Sequence, residues 1–237
     1  MPHDSANALS PSLEDAQRAL REDGFIDLQD TRIGEYVQQM ELRKFPFFSK
    51  WGLESCKTYV FDDEVRRIPK LLVNLLGPCR LGHWLRYKAE PNHVEALITG
   101  GREAGLGALG IHQIAKGSRI TFYPGSHLVD LPTKKTEETK RGLHETTDAA
   151  LREAGCEPVE KEFPDGGLII RAGRLYVSLK EGYVITIVFA TKQVLASWPE
   201  IELPPIAELI RNVIKLETEK IQVNFAIGNS ITIKTHS

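Results

Sequence analysis

The sequence has no surplus of either charge. Its 237 residues carry 30 Lys and Arg against 32 Asp and Glu, a net charge of -2. Nucleic-acid binders usually show a basic surplus, so that class is set aside. Cysteine is scarce. Cys56, Cys79 and Cys156 are odd in number, far apart and without a C-x-x-C pair. That excludes a disulfide framework and suits free thiols in a reducing compartment. No apolar run reaches the ~18 residues of a membrane span. The opening MPHDSANALSPSLEDAQ lacks a basic segment followed by an apolar one, so no secretory signal is expected and the expected address is the cytoplasm. The sequence also lacks a G-x-S-x-G elbow, a phosphate-binding loop and a dinucleotide glycine fingerprint after a strand. Gly100-Gly101 and Gly105-x-Gly107 read as a flexible bend.

What is present fits a globular protein with 41% hydrophobic and 26% charged residues. A polar leader over 1–12 and one domain over 13–237 are expected. Ser12 offers an N-cap for LEDAQRALRE, with Glu14 and Asp15 in the first turn and Gly24 as a stop. Phe25-Ile26-Asp27-Leu28 reads as a strand and Ile33–Leu42 as a helix. Lys57–Phe61 reads as a strand, and a third helix runs from Asp62-Asp63 to Leu76, ended by Gly77-Pro78.

From Arg80 the pattern changes to strand-length apolar runs. They cover Leu81–Tyr87, His93–Ile98, Leu109–Ala115, Arg119–Tyr123, Val159–Phe163, Leu168–Arg171, Leu175–Leu179 and Tyr183–Ala190. A polar, helix-prone excursion interrupts them at 136–154. A C-terminal helix follows Pro204-Pro205, with a terminal hairpin formed by Ile221–Ile227 and Ile231–Thr235. The fold class expected is α+β with a mainly β core: a double-stranded β-helix (jelly roll) with helices before it and one after it.

The chemistry centres on Pro91 to His127. His93 and Glu95 lie two apart, so in an extended chain both point to one face. An imidazole and a carboxylate on one face are two-thirds of a 2-His-1-carboxylate iron site. His112, inside the apolar GIHQI, reads either as a core histidine or as the third ligand. His83 and Trp84 in LGHWLRY, and Tyr176, read either as core or as the wall of a substrate cleft.

Three features together resemble the phytanoyl-CoA dioxygenase family of iron(II)/2-oxoglutarate oxygenases. They are the opening LREDGFIDL, the H-x-acid pair His93/Glu95 followed by Pro124-Gly125-Ser126-His127, and the glycine-rich FPDGGLIIRAGRLYVSL. The resemblance implies a jelly roll over roughly residues 13–190, Fe(II) held by His93 and Glu95, and 2-oxoglutarate as co-substrate. His127 would support the site from a strand-end turn.

The sequence departs from the family at three points. Glutamate stands where aspartate is usual. No histidine falls in Leu175–Ser178, and no arginine in Thr186–Thr191. Arg171 and Arg174, with Lys180 and Lys192, are the cations left to anchor a dicarboxylate.

Two readings follow. One is a non-haem iron oxygenase acting on a small apolar natural-product intermediate. The other is a non-catalytic partner of an active relative, or a small-molecule binding module, on the same scaffold. Either is compatible with a homo-oligomer or a hetero-oligomer.

Overall fold

A computed structural model describes residues 11–28, 30–62, 67–135 and 143–228. Its helices are α1 (Leu13–Glu22), α2 (Thr31–Leu42), α3 (Lys50–Cys56), α4 (Ile68–Leu76), α5 (Asp148–Glu153), α6 (Lys192–Leu195) and α7 (Ala207–Ile214). Its strands are β1 (Phe25–Asp27), β2 (Cys79–Lys88), β3 (Val94–Ala96), β4 (Ala108–Ile114), β5 (Ser118–Phe122), β6 (Lys134–Lys135) and β7 (His144–Thr146). They continue with β8 (Val159–Phe163), β9 (Gly167–Ala172), β10 (Val177–Glu181), β11 (Tyr183–Ala190), β12 (Ile201–Leu203), β13 (Ile221–Val223) and β14 (Phe225–Ile227).

Two six-stranded sheets dominate. Their orders are β1-β9-β4-β11-β2-β13 and β6-β7-β3-β10-β5-β8, with a separate β12–β14 pair. Every pairing within the two large sheets is antiparallel except β13 on β2. The first sheet is buried on both faces, which is why β4, β9 and β11 read as near-continuous apolar runs. Leu109, Ile111, Leu168, Ile170, Ile185 and Ile187 share a core with α1, α2, α3 and α4. The alternate residues Ile114, Ile169 and Val184 pack with Ile120 and Phe122 of the second sheet. Period-2 alternation therefore puts His112, Arg171 and Thr186 on the face turned toward the second sheet.

The first helix forms as its cap requires. The Ser12 hydroxyl accepts the Asp15 amide, and Gly24 leaves the helix at φ +86°. Lys57–Phe61 is not a strand. Ser49 caps α3, and the chain continues from it into one π-helical turn over Lys57–Phe61. Val60 is buried and the Tyr59 ring lies 4.5 Å from Tyr36, so packing on α2 overrides the β-propensity of Thr-Tyr-Val-Phe. The next helix starts at Ile68, after a left-handed Arg67, with Pro69 in its first turn.

The expected helical excursion is half correct. α5 is there, but His144–Thr146 is strand β7, paired with β3, while 136–142 lie outside the described residues. The first arm expected for the terminal hairpin, Ile221–Ile227, is not one strand. β13 pairs parallel with β2, and β14 parallel with β12, so the two segments belong to different sheets. The second arm expected for that hairpin, 231–235, and most of the leader fall outside the described residues. Among the described residues no helix is long and apolar enough to cross a membrane.

Candidate functional site

β3 enters the second sheet from a tight turn at Pro91-Asn92, closed by the His93 amide donating to the Glu90 carbonyl at 3.0 Å. That turn folds Glu90 back onto the strand. One donor atom from each of Glu90, His93 and Glu95 lies within 4.8 Å of the others. Val94 and Ala96 pack on the opposite face with Tyr123 and Leu151, so Glu95 faces the space between the sheets. Nδ1 of His93 is hydrogen-bonded to Oε1 of Glu145, which stands across from Glu95 on β7. That bond is the first cause of a raised His93 pKa. It leaves Nε2 as the nitrogen open to another partner.

His112 does not join this group. Its Nε2 accepts from Arg171 Nε at 2.6 Å, and its Nδ1 lies 3.1 Å from Thr186 Oγ1. Arginine only donates, so Nε2 carries the lone pair and the proton sits on Nδ1, facing Thr186. Both nitrogens are committed, and burial holds the ring's pKa well below the ordinary histidine value. Glu90 stands as the third donor instead. Sequence reasoning missed it because its place depends on the turn, although the spacing E-x-x-H-x-E carries the signal. Glu145 was missed because its segment read as a polar helix.

Arg171 is 3% exposed. It donates to His112 and, from Nη1, to the Leu175 carbonyl at 2.5 Å. Desolvation pushes its pKa down to about 10, opposed by Tyr87 and Glu95. It is therefore a buried cation beside Glu95. Arg174 lies elsewhere, with Nε on the Thr99 carbonyl at 2.7 Å and Nη1 on the Gly105 carbonyl, where it ties down the glycine-rich bend.

Arg171, His112, Glu95, His93 and Glu90 line one cavity with Tyr87, Leu97, Ile120, Leu143, Val177 and Val184. Its volume is about 50 Å³. A ~150 Å³ cavity is what admits a benzene-sized guest, so this one suits water or a diatomic gas.

The three cleft candidates do not line this cavity. Trp84 is 2% exposed and packs under the helices, 5.2 and 5.3 Å from Phe47 and Phe48. Tyr176 is buried on the outer face of the second sheet with Val94, Ala96 and Tyr123. His83 stands behind the wall, its Nε2 2.6 Å from the Tyr87 hydroxyl, and burial lowers its pKa to about 4. His127 of the Pro-Gly-Ser-His turn is buried, and its Nε2 donates to the Arg21 carbonyl at 3.0 Å. The neighbouring Ser126 hydroxyl accepts the Tyr176 amide at 3.0 Å, so the turn joins α1 to the start of β10.

No family model and no curated protein matches the chain. Solved structures do. A non-heme alpha ketoglutarate dependent epimerase, SnoN from nogalamycin biosynthesis, superposes with a TM-score of 0.50 at 17% identity, over 76% of this chain and 83% of its own. SnoN in complex with Fe3+, alpha ketoglutarate and nogalamycin RO gives a TM-score of 0.52 at 14% identity over the same shares, 76% and 83%. EctD from S. alaskensis, with 2-oxoglutarate and 5-hydroxyectoine, gives 0.50 at 11% identity over 80% and 79%. At these identities the likeness is one of fold.

Proposed function

We propose that this chain is a divergent double-stranded β-helix protein of the phytanoyl-CoA-dioxygenase-like type. In this reading Glu90, His93 and Glu95 hold a non-haem divalent metal, and the protein acts as an oxygenase on a small apolar natural-product intermediate that meets the site from its exposed His93 edge, outside the small cavity. The observation that carries it is the convergence of three donors from one turn and strand, with the spare nitrogen of the imidazole already held by a carboxylate. One imidazole and two carboxylates suit Fe(II) or Mn(II) better than a soft metal. A ferrous ion bound there supplies dioxygen activation, while the protein fixes geometry and excludes water. Leu97, Ile120, Val177 and Val184 form an apolar wall on the inner side of the donors. The fold neighbours SnoN and EctD support the direction of the proposal, since both carry iron or 2-oxoglutarate in their structures. A small-molecule substrate and a cytoplasmic address complete it.

The residues present do not fit 2-oxoglutarate. Val177 stands opposite Glu95, where the family places its later histidine. Arg171 is already committed to His112 and Leu175, and about 50 Å³ is too little for a five-carbon dicarboxylate. The same small cavity favours the second reading, a non-catalytic partner or binding module.

An anaerobic Fe(II) titration separates the readings, run with and without 2-oxoglutarate and beside the His93→Ala/Glu95→Ala variant. The oxygenase reading expects one equivalent bound in the parent, at least 100-fold weaker binding in the variant, and no charge-transfer band on adding 2-oxoglutarate. Equal binding by the two proteins contradicts the metal site. A 2-oxoglutarate band contradicts the misfit to that co-substrate.

A further inference from the structure

We propose that Glu145 is the positioning residue of this metal site. Holding Nδ1 of His93 from the neighbouring strand, it presents Nε2 to the same point as the carboxylates of Glu90 and Glu95. The inference rests on the metal reading above and adds to it a fourth residue, from a part of the chain 50 positions further on.

Three observations converge. First, β3 and β7 are antiparallel with Glu95 directly across from Glu145, so both side chains stand on one face of the sheet. Like charges so placed repel; Arg171 stands near Glu95, and the imidazole of His93 is bonded to Glu145. Second, His93 sits two residues before Glu95 on that face, and its ring bonds to Glu145 rather than to Glu95. A histidine ligand ordinarily gives its other ring N–H to a carboxylate, which fixes the tautomer and the direction of the lone pair. A carboxylate accepts, so Glu145 takes the Nδ1 proton, and in the neutral ring the lone pair is on Nε2. Third, His93 needs the help. Its side chain is 41% exposed and it follows a turn, so packing alone does not fix its rotamer. Glu145 is the more enclosed partner at 25%, on a strand pinned from both sides by β3 and β6.

The arrangement also accounts for the missing ligand on β10. In the family pattern a later histidine closes the ligand set. Here Val177 faces Glu95, and the whole set comes from 90–95, a single turn and strand lying between β10 and β7.

The test uses Mn(II), an air-stable probe with a sharp free-ion electron paramagnetic resonance signal, on the full chain. Glu145→Ala is expected to weaken Mn(II) binding about 10- to 100-fold, the usual cost of losing a carboxylate behind a histidine ligand. Glu145→Gln keeps an oxygen to accept from Nδ1 and is expected to lose less than about 10-fold, which separates positioning from a lost fold. The unfolding midpoint of each metal-free variant is measured alongside. Unchanged Mn(II) affinity in Glu145→Ala, with only the midpoint lowered, makes Glu145 a structural strand residue and overturns the inference while the metal reading stands. A parent protein that binds Mn(II) no better than Glu95→Ala overturns the metal reading beneath it.

Discussion

Between pH 6.5 and pH 4 the protein is expected to lose up to about 3 kcal/mol of stability through His83 alone. Burial lowers the folded-state pKa of this histidine to about 4, against 6.5 for the free side chain. In that window the unfolded chain binds a proton that the folded chain refuses, so acid favours unfolding. The stability is whole above pH 6.5 and drains away as the pH falls toward 4. His112 and His127 shift the same way and add to the loss. His93 shifts the opposite way, but its side chain is too exposed to offset them. Asp15 and Asp148, whose pKa values lie below 3.8, act only in stronger acid. Urea unfolding followed by tryptophan fluorescence at pH 7.5 and pH 4.5 measures the drop. His83→Gln keeps a polar partner for the Tyr87 hydroxyl without a titrating ring, and it is expected to remove most of the His83 share. A drop unchanged in that variant places the acid sensitivity elsewhere.

The second large effect belongs to Gly34, at the end of the first turn of α2. On an exposed helix, Gly→Ala stabilises by about 1 kcal/mol. Here a Cβ would lie 2.0 Å from the Asp165 carbonyl oxygen, at the turn between β8 and β9. The partner glycine of that turn, Gly166, is equally tight. It has φ +78°, and a Cβ on it would lie 2.4 Å from the Gly34 Cα. Two backbones touch, and neither can yield as a flexible side chain would. Overpacking of this kind costs about 3 kcal/mol or more, which outweighs the propensity gain. Gly34→Ala is therefore expected to lower the thermal midpoint by roughly 5–10 °C, using about 2–4 °C per kcal/mol for a chain this size. A raised midpoint would mean that α2 stands off from the sheet.

Local rules in the sequence carry over where the residues meet their partners nearby. Ser12 and Gly24 bound α1 because a cap and a left-handed stop are decided within four residues. The doubly buried strands β4, β9 and β11 are legible because both faces are apolar. His93 and Glu95 are legible because a spacing of two fixes a shared face. What escapes is set by distant contacts. KTYVF has strand composition, yet it turns as a π-helix against Tyr36. The bond between Arg171 and His112 depends on the register of β9 on β4, which offsets them by two residues, Gly110 lying across from Arg171. Glu145 hides in LHETT, where charge imitates a solvated helix and only the pairing with β3 places it across from Glu95. Tyr176, Trp84 and Arg174 fall outside the cavity because alternation along their strands and turns sends them to other cores or to the bend at 99–105.

The most direct test of the account is an anomalous difference map from crystals of the full chain grown with Mn(II). One strong peak is expected, bonded to Nε2 of His93 and to carboxylate oxygens of Glu90 and Glu95, with Glu145 on Nδ1 and Val177 facing the metal without touching it. No peak between these three side chains, or a peak held by His112 with Arg171 displaced, would contradict it.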